Sequence, residues 1–130
     1  MALEQEELTS AIIAAAIEVH RQLGPGFIES IYENALVIEL RKRGMKVEQQ
    51  VDVKVLYDDK EVGKHRLDLL VEKEIVIELK AIKNIEDVHY AITRSYLRAT
   101  GKQHGLILNF SKTTLEIKRV INRDGPGFKT

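Results

Sequence analysis

The chain has 130 residues, 44% of them apolar, with 20 basic and 20 acidic side chains and no cysteine. That size suits one domain over residues 1–130 with a core of its own. The lack of cysteine excludes a disulfide framework and a thiolate metal site, and no apolar run reaches the roughly 18 residues that would cross a membrane. The acidic start, Met1 to Glu7, is unlike a signal or transit peptide, so a cytoplasmic location is expected. A zero net charge argues against tight nonspecific DNA binding. The charge is unevenly spread, however. Residues 1–40 carry seven acids and one base, whereas residues 101–130 carry two acids and six bases, which leaves room for a basic face.

Leu8, Ile12, Ala15, Val19 and Leu23 recur at helical spacing. They predict an amphipathic helix over residues 8–22, stopped by Gly24-Pro25-Gly26. A second helix is expected over residues 28–43, with an inward stripe of Ile28, Ile31, Ala35 and Ile38 and a terminal glycine at Gly44. The period then changes. Val51, Val53 and Val55 alternate, so residues 47–57 read as a strand. Asp58-Asp59-Lys60 is a turn, residues 61–71 a second strand, Glu72-Lys73-Glu74 a short turn and residues 75–81 a third strand. Turns this short join antiparallel neighbours, because parallel strands need a long crossover. A third helix follows over residues 85–100, ending at Gly101, and strands over 105–110 and 114–121 close the pattern. Residues 1–7 and 122–130 are expected to be loose. Gly-Pro-Gly-Phe occurs at 24–27 and again at 125–128, which is too little for a repeat architecture.

The hairpin over residues 61–81 is where chemistry concentrates. Side chains alternate along a strand. If Leu67, Leu69, Val71, Ile75, Ile77 and Leu79 face the core, then Asp68, Arg66, Glu78 and Lys80 take the opposite face. A three-residue turn pairs Val71 with Ile75, and counting outward sets Asp68 against Glu78. Directly opposed Cβ atoms lie roughly 4.5–5.5 Å apart, so two carboxylates there call for a shared proton, a lysine or a metal cation. Mg²⁺ favours oxygen ligands and often uses only one or two carboxylates. A solvated cluster with weak ion pairs is the competing reading of spacing alone.

Asp68 followed by Val76-Ile77-Glu78-Leu79-Lys80 resembles the PD-(D/E)xK nuclease signature. Gly26-Phe27-Ile28-Glu29-Ser30-Ile31-Tyr32 resembles the pattern of the GxxExxY family within that superfamily. Further similar stretches are Glu18-Val19-His20, Leu23 to Phe27, Tyr96-Leu97 and Leu108-Asn109-Phe110, so the resemblance runs from about Leu8 to Val120. It implies an α/β (α+β) restriction-endonuclease-like core of order ααβββαββ, with a central mixed four- to five-stranded sheet flanked by helices. It implies Mg²⁺ or Mn²⁺ held by Asp68, Glu78, Glu29 and the Ile77 carbonyl, with Lys80 steering the attacking water and nucleic acid, DNA or RNA, as substrate. Glu29 also favours the helix dipole, a structural alternative. Tyr32 could orient Glu29 or touch phosphate, or simply pack. Arg94, Arg98 and Tyr96 are candidate substrate contacts, and His20 matches the family pattern without a clear chemical task. One departure stands out: many relatives carry glutamine four residues before the tyrosine, where this chain has Ile92. Apolar Ile92 cannot make the amide's hydrogen bonds. Two readings therefore stand beside a nuclease: a module that binds nucleic acid without useful catalysis, and a structural partner protein. A domain of this size could dimerise to act on two strands.

Overall fold

The computed structural model describes residues 5–122. Two helices, α1 (Gln5–Leu23) and α2 (Glu29–Lys42), precede a meander of β1 (Val47–Tyr57), β2 (Lys60–Val71) and β3 (Ile75–Lys80). Then come α3 (Asp87–Thr100), β4 (His104–Asn109) and β5 (Glu116–Ile121). The five strands form one sheet in chain order. β3 and β4 are parallel and every other neighbouring pair is antiparallel. The mixed sheet and the order ααβββαββ agree with the sequence expectation. Gln5 to Glu7 belong to α1 rather than to a loose end. Asn122 is not loose either: it is buried and its N–H donates to the Gln103 carbonyl at 2.8 Å. Residues 1–4 and 123–130, and with the latter the second Gly-Pro-Gly-Phe, lie outside the described residues.

A core packs on each sheet face. On one, α1 and α2 cover Leu69, Val71, Ile75, Ile77, Leu79, Leu106 and Leu108. On the other, Leu97 of α3 covers Leu67, Leu70, Val76, Ile107 and Val120. Five of the six hairpin residues expected to share a face do so, and Leu67 does not. Leu67 and Leu69 have the same parity yet sit in different cores, so regular alternation breaks between them, at Asp68. Across the ladder, Gln49 pairs with Leu69 and Val51 with Leu67, while Gln50 is skipped. Gln50 adopts φ 55°, a left-handed conformation that costs a non-glycine residue about 1–3 kcal/mol. Gln50 and Asp68, opposite each other in this register, both drop out of the pairing where the face changes.

Of the expected inward stripe of α2 only Ala35 packs against the core, partly buried, and the three isoleucines point outward. Ile28, Ile31 and Ile38 are exposed, while Tyr32, Glu33, Leu36, Val37 and Leu40 are buried. Tyr32 is fully buried on this inner side. Its ring stacks on Phe110 at 4.5 Å, and its hydroxyl donates to the Gly24 carbonyl at 2.6 Å and accepts the Phe27 N–H at 3.2 Å. Gly24 and Gly26, at φ 69° and 115°, give the loop a turn that L side chains rarely adopt. With no exposed surface and its hydroxyl spent on the loop, Tyr32 packs the core and holds the loop rather than touching phosphate. Tyr32→Phe should lower stability by about 1 kcal/mol, read as a shifted denaturation midpoint, because the half-buried Gly24 carbonyl loses its donor. An unchanged midpoint would show that the hydroxyl does not hold the loop.

Candidate metal centre

β2 and β3 pair from Val71 with Ile75 to Leu69 with Ile77, the register that the three-residue turn implies. Beyond Leu69 and Ile77 two carboxylates replace the ladder. The Asp68 N–H donates to Glu78 Oε2 at 3.1 Å, and the Leu79 N–H donates to Asp68 Oδ2 at 2.9 Å. Each backbone donor released by the parting strands is thereby satisfied.

Glu78 is only 4% exposed. Among the described residues, neither Asp68 nor Glu78 has a basic group within the 4.0 Å of an ion pair. Burial, and then the charge of Asp68, push the Glu78 carboxyl up to about 8. Burial raises Asp68 as well, against the opposing Leu79 hydrogen bond. Lys80 moderates both electrostatically without pairing directly with either. Its backbone is fixed by the parallel β4, opposite Asn109, with its carbonyl accepting the Phe110 N–H at 2.9 Å.

Glu33, on α2, is a residue that the sequence reading passed over. It is buried, and its carboxylate accepts hydrogen bonds from Gln49 Nε2 at 2.6 Å and Gln50 Nε2 at 2.9 Å. Its charge raises both Asp68 and Glu78. Glu29, one turn earlier and half-buried, adds a smaller charge effect on Asp68 than Glu33 does. The signal was available: residues at i and i+4 share a helix face. Gln50, at its positive φ, holds the Glu33 carboxylate through its side-chain amide, and that carboxylate acts on the pair only through its charge.

On α3, Tyr96 is half-buried and its phenol is raised by burial first, then by Glu78 and Asp68. Its ring meets His65 edge-on at 4.4 Å. Arg94 and Arg98 are exposed and make no ion pair among the described residues, and Ile92 is 40% exposed. Ile77 is fully buried between Leu69 and Leu106 of the neighbouring strands. His20 stands apart from this group. Its Nε2 lies 2.7 Å from the Lys112 carbonyl and its ring 6.0 Å from Phe110, so it ties α1 to the turn after β4.

The floor beside the site is pinned by Asn109, which is fully buried. Its Oδ1 accepts the Ile82 N–H at 3.1 Å, and its Nδ2 donates to the Ile82 carbonyl at 2.8 Å and to Glu116 at 3.0 Å. Asn109→Ala should lower unfolding stability by about 2–4 kcal/mol, because the half-buried Ile82 backbone and Glu116 lose their partner together and a fully buried side chain is removed. A urea melt reads this, and a loss under 1 kcal/mol would show that the pin is dispensable.

Among the described residues no three carboxylate or imidazole side chains gather closely enough to hold a metal ion. The donor set is therefore a close pair of hard oxygens, one very buried, with no organic cation paired to it. That chemistry fits Mg²⁺ or Mn²⁺, which keep waters and take substrate oxygens alongside one or two carboxylates.

The fold and this pair define a nuclease-type domain. The sequence model of the PD-(D/E)XK nuclease superfamily matches residues 6–120, and the chain belongs to that superfamily. Among curated proteins none matches. A solved structure titled "Crystal structure of SSO0001" is similar at TM-score 0.57 and 19% identity, covering 71% of this chain and 48% of that one. The chain thus spans about half the length of that relative, and the likeness concerns the fold. Among the described residues no helix is long and apolar enough to cross a membrane.

Proposed function

We propose that the protein is a Mg²⁺- or Mn²⁺-dependent nuclease of the GxxExxY type that hydrolyses phosphodiester bonds. The observation that carries this reading is the pairing of half-buried Asp68 with buried Glu78 without a counter-cation, beside an unpaired Lys80. Asp68, Glu78 and the Ile77 carbonyl would hold the ion, and the α2 carboxylates would complete the site through water, with Glu33 better placed than Glu29. The ion supplies a polarised phosphate and a more acidic water. Lys80 orients that water and balances charge developing on phosphate oxygens. Arg94 and Arg98 would draw the polyanion to the α3 face. Calorimetric titration with Mn²⁺ and incubation with mixed DNA and RNA test the proposal together. Saturable binding and cleavage, both lost in Asp68→Asn, are expected. Binding of nucleic acid without cleavage by the metal-loaded wild type would favour the non-catalytic module, for which the exposed Ile92 is the supporting observation.

A further inference from the structure

A groove of about 440 Å³ lies between the outer half of the β1–β2 hairpin and α3. Lys54 and Arg98 stand on its walls, His65 and Ser95 are also in its lining, and Val55 and Leu56 give an apolar side. We infer that this groove seats the sugar–phosphate backbone of a single nucleic-acid strand running away from the Asp68–Glu78 pair. The inference rests on the nuclease reading and adds where the rest of the substrate lies.

Four observations support it. First, the groove is connected to the site. His65 lies three residues before Asp68 on the same strand, about 10 Å away at the rise of a β-strand. Its ring touches Tyr96, which in turn feels both carboxylates. Second, the cations are available. Arg98 makes no ion pair among the described residues, and Lys54 has only Glu61 at 3.9 Å, a loose contact that a phosphate could displace. Third, the polar side is held in place: Ser95 Oγ lies 3.2 Å from His65 Nε2 and donates to the Ile92 carbonyl at 2.6 Å. Fourth, the pairing of β1 with β2 shifts register between Val55 and Leu56. Such a bulge bends a strand and re-aims its side chains, and here it falls in the groove wall.

Cations beside aromatic rings in a concave track are what single strands use, with phosphates on the cations and bases against the rings. The path from site to groove has both: the His65 and Tyr96 rings, each half-buried, followed by Arg98 and Lys54.

The test uses the full chain with Ca²⁺ replacing the catalytic ions, and a fluorescein-labelled 12-nucleotide single strand followed by anisotropy. Wild type should bind with affinity that falls steeply with salt. Lys54→Ala/Arg98→Ala should bind about tenfold or more weakly at low salt. Its log K against log salt slope should be shallower by about 1.4, two contacts at about 0.7 each. Arg21→Ala/Lys42→Ala, which removes two cations from α1 and α2, should match wild type. Equal affinity and slope for wild type and the groove variant overturn the inference, as does an equal loss in the α1–α2 variant. Tighter binding of a duplex with the same dependence on Lys54 and Arg98 overturns the single-strand assignment. If the groove variant binds like wild type while wild type still cleaves and Asp68→Asn does not, the groove alone has failed. If wild type neither binds nor cleaves, the nuclease reading fails with it.

Discussion

Glu78→Gln should make the metal-free protein more stable at pH 8 while abolishing cleavage. Glu78 carries a carboxyl pushed up to about 8, first by burial and then by Asp68. In the unfolded chain the same group titrates near 4.5. Between these values the folded protein holds a proton that the unfolded chain has released. Stability from this group is therefore complete below about 4.5 and is lost as pH rises towards 8. Each pK unit corresponds to about 1.4 kcal/mol. A glutamine, neutral at every pH, should recover about 2–4 kcal/mol at pH 8, or roughly 8–15 °C in melting temperature for a domain of this size. It keeps the acceptor for the Asp68 N–H. Wild type measured with EDTA should lose stability between pH 5 and 8, and the variant should show a flatter profile. The same variant should lose cleavage by a factor of about 10³ or more, because a neutral amide is a poor ligand for a hard cation. A variant no more stable than wild type at pH 8 would mean that Glu78 is not held protonated. Retained cleavage would remove it from the metal site.

Lys80→Ala should reduce cleavage by about 10²–10³-fold while leaving Mn²⁺ affinity within a few-fold of wild type. The reason is geometric. Lys80 lies two residues after Glu78 on a strand whose backbone is fixed from the β4 side. Its ammonium is not consumed by an ion pair among the described residues, so it is available to a water or a phosphate oxygen. Removing one preorganised electrostatic stabiliser from an acyl- or phosphoryl-transfer site typically costs about 3–4 kcal/mol of transition-state stabilisation. Lys80→Arg should recover part of the rate, since charge returns with a different shape. Equal single-turnover rates for wild type and Lys80→Ala would dismiss the lysine. A matching collapse of Mn²⁺ affinity would show that Lys80 shapes the metal site instead of acting beside it.

Much of this site is legible in the sequence because it is built by short-range rules. A three-residue turn admits one sensible register, and that register brings Asp68 to Glu78. The positions of the eight elements follow from changes in hydrophobic period and from glycine and proline breaks, with ends displaced by at most three residues. The rotation of α2 was not legible. Apolar residues occupy both sides of this helix, and the true inner face includes Glu33, which any hydropathy count penalises. Ile28, Ile31 and Ile38 therefore read as the buried stripe when they are the outer one. The face change at Asp68 was hidden for a related reason, since parity assumes regular backbone and Gln50 at φ 55° is not regular.

The composition, neutral overall and free of cysteine, excluded classes of chemistry and left a carboxylate site as the best use of the hairpin. Local periodicity determined the elements, their order and the meeting of Asp68 with Glu78, because those depend on neighbours within one hairpin. Tertiary packing decided the rest. Tyr32 stacks on Phe110, the buried side of α2 takes in Glu33, Gln49 and Gln50 hold its carboxylate, and Leu67 packs with Leu97 of α3. These contacts join residues far apart in the chain, and their energies depend on which surfaces meet, so no local pattern encodes them.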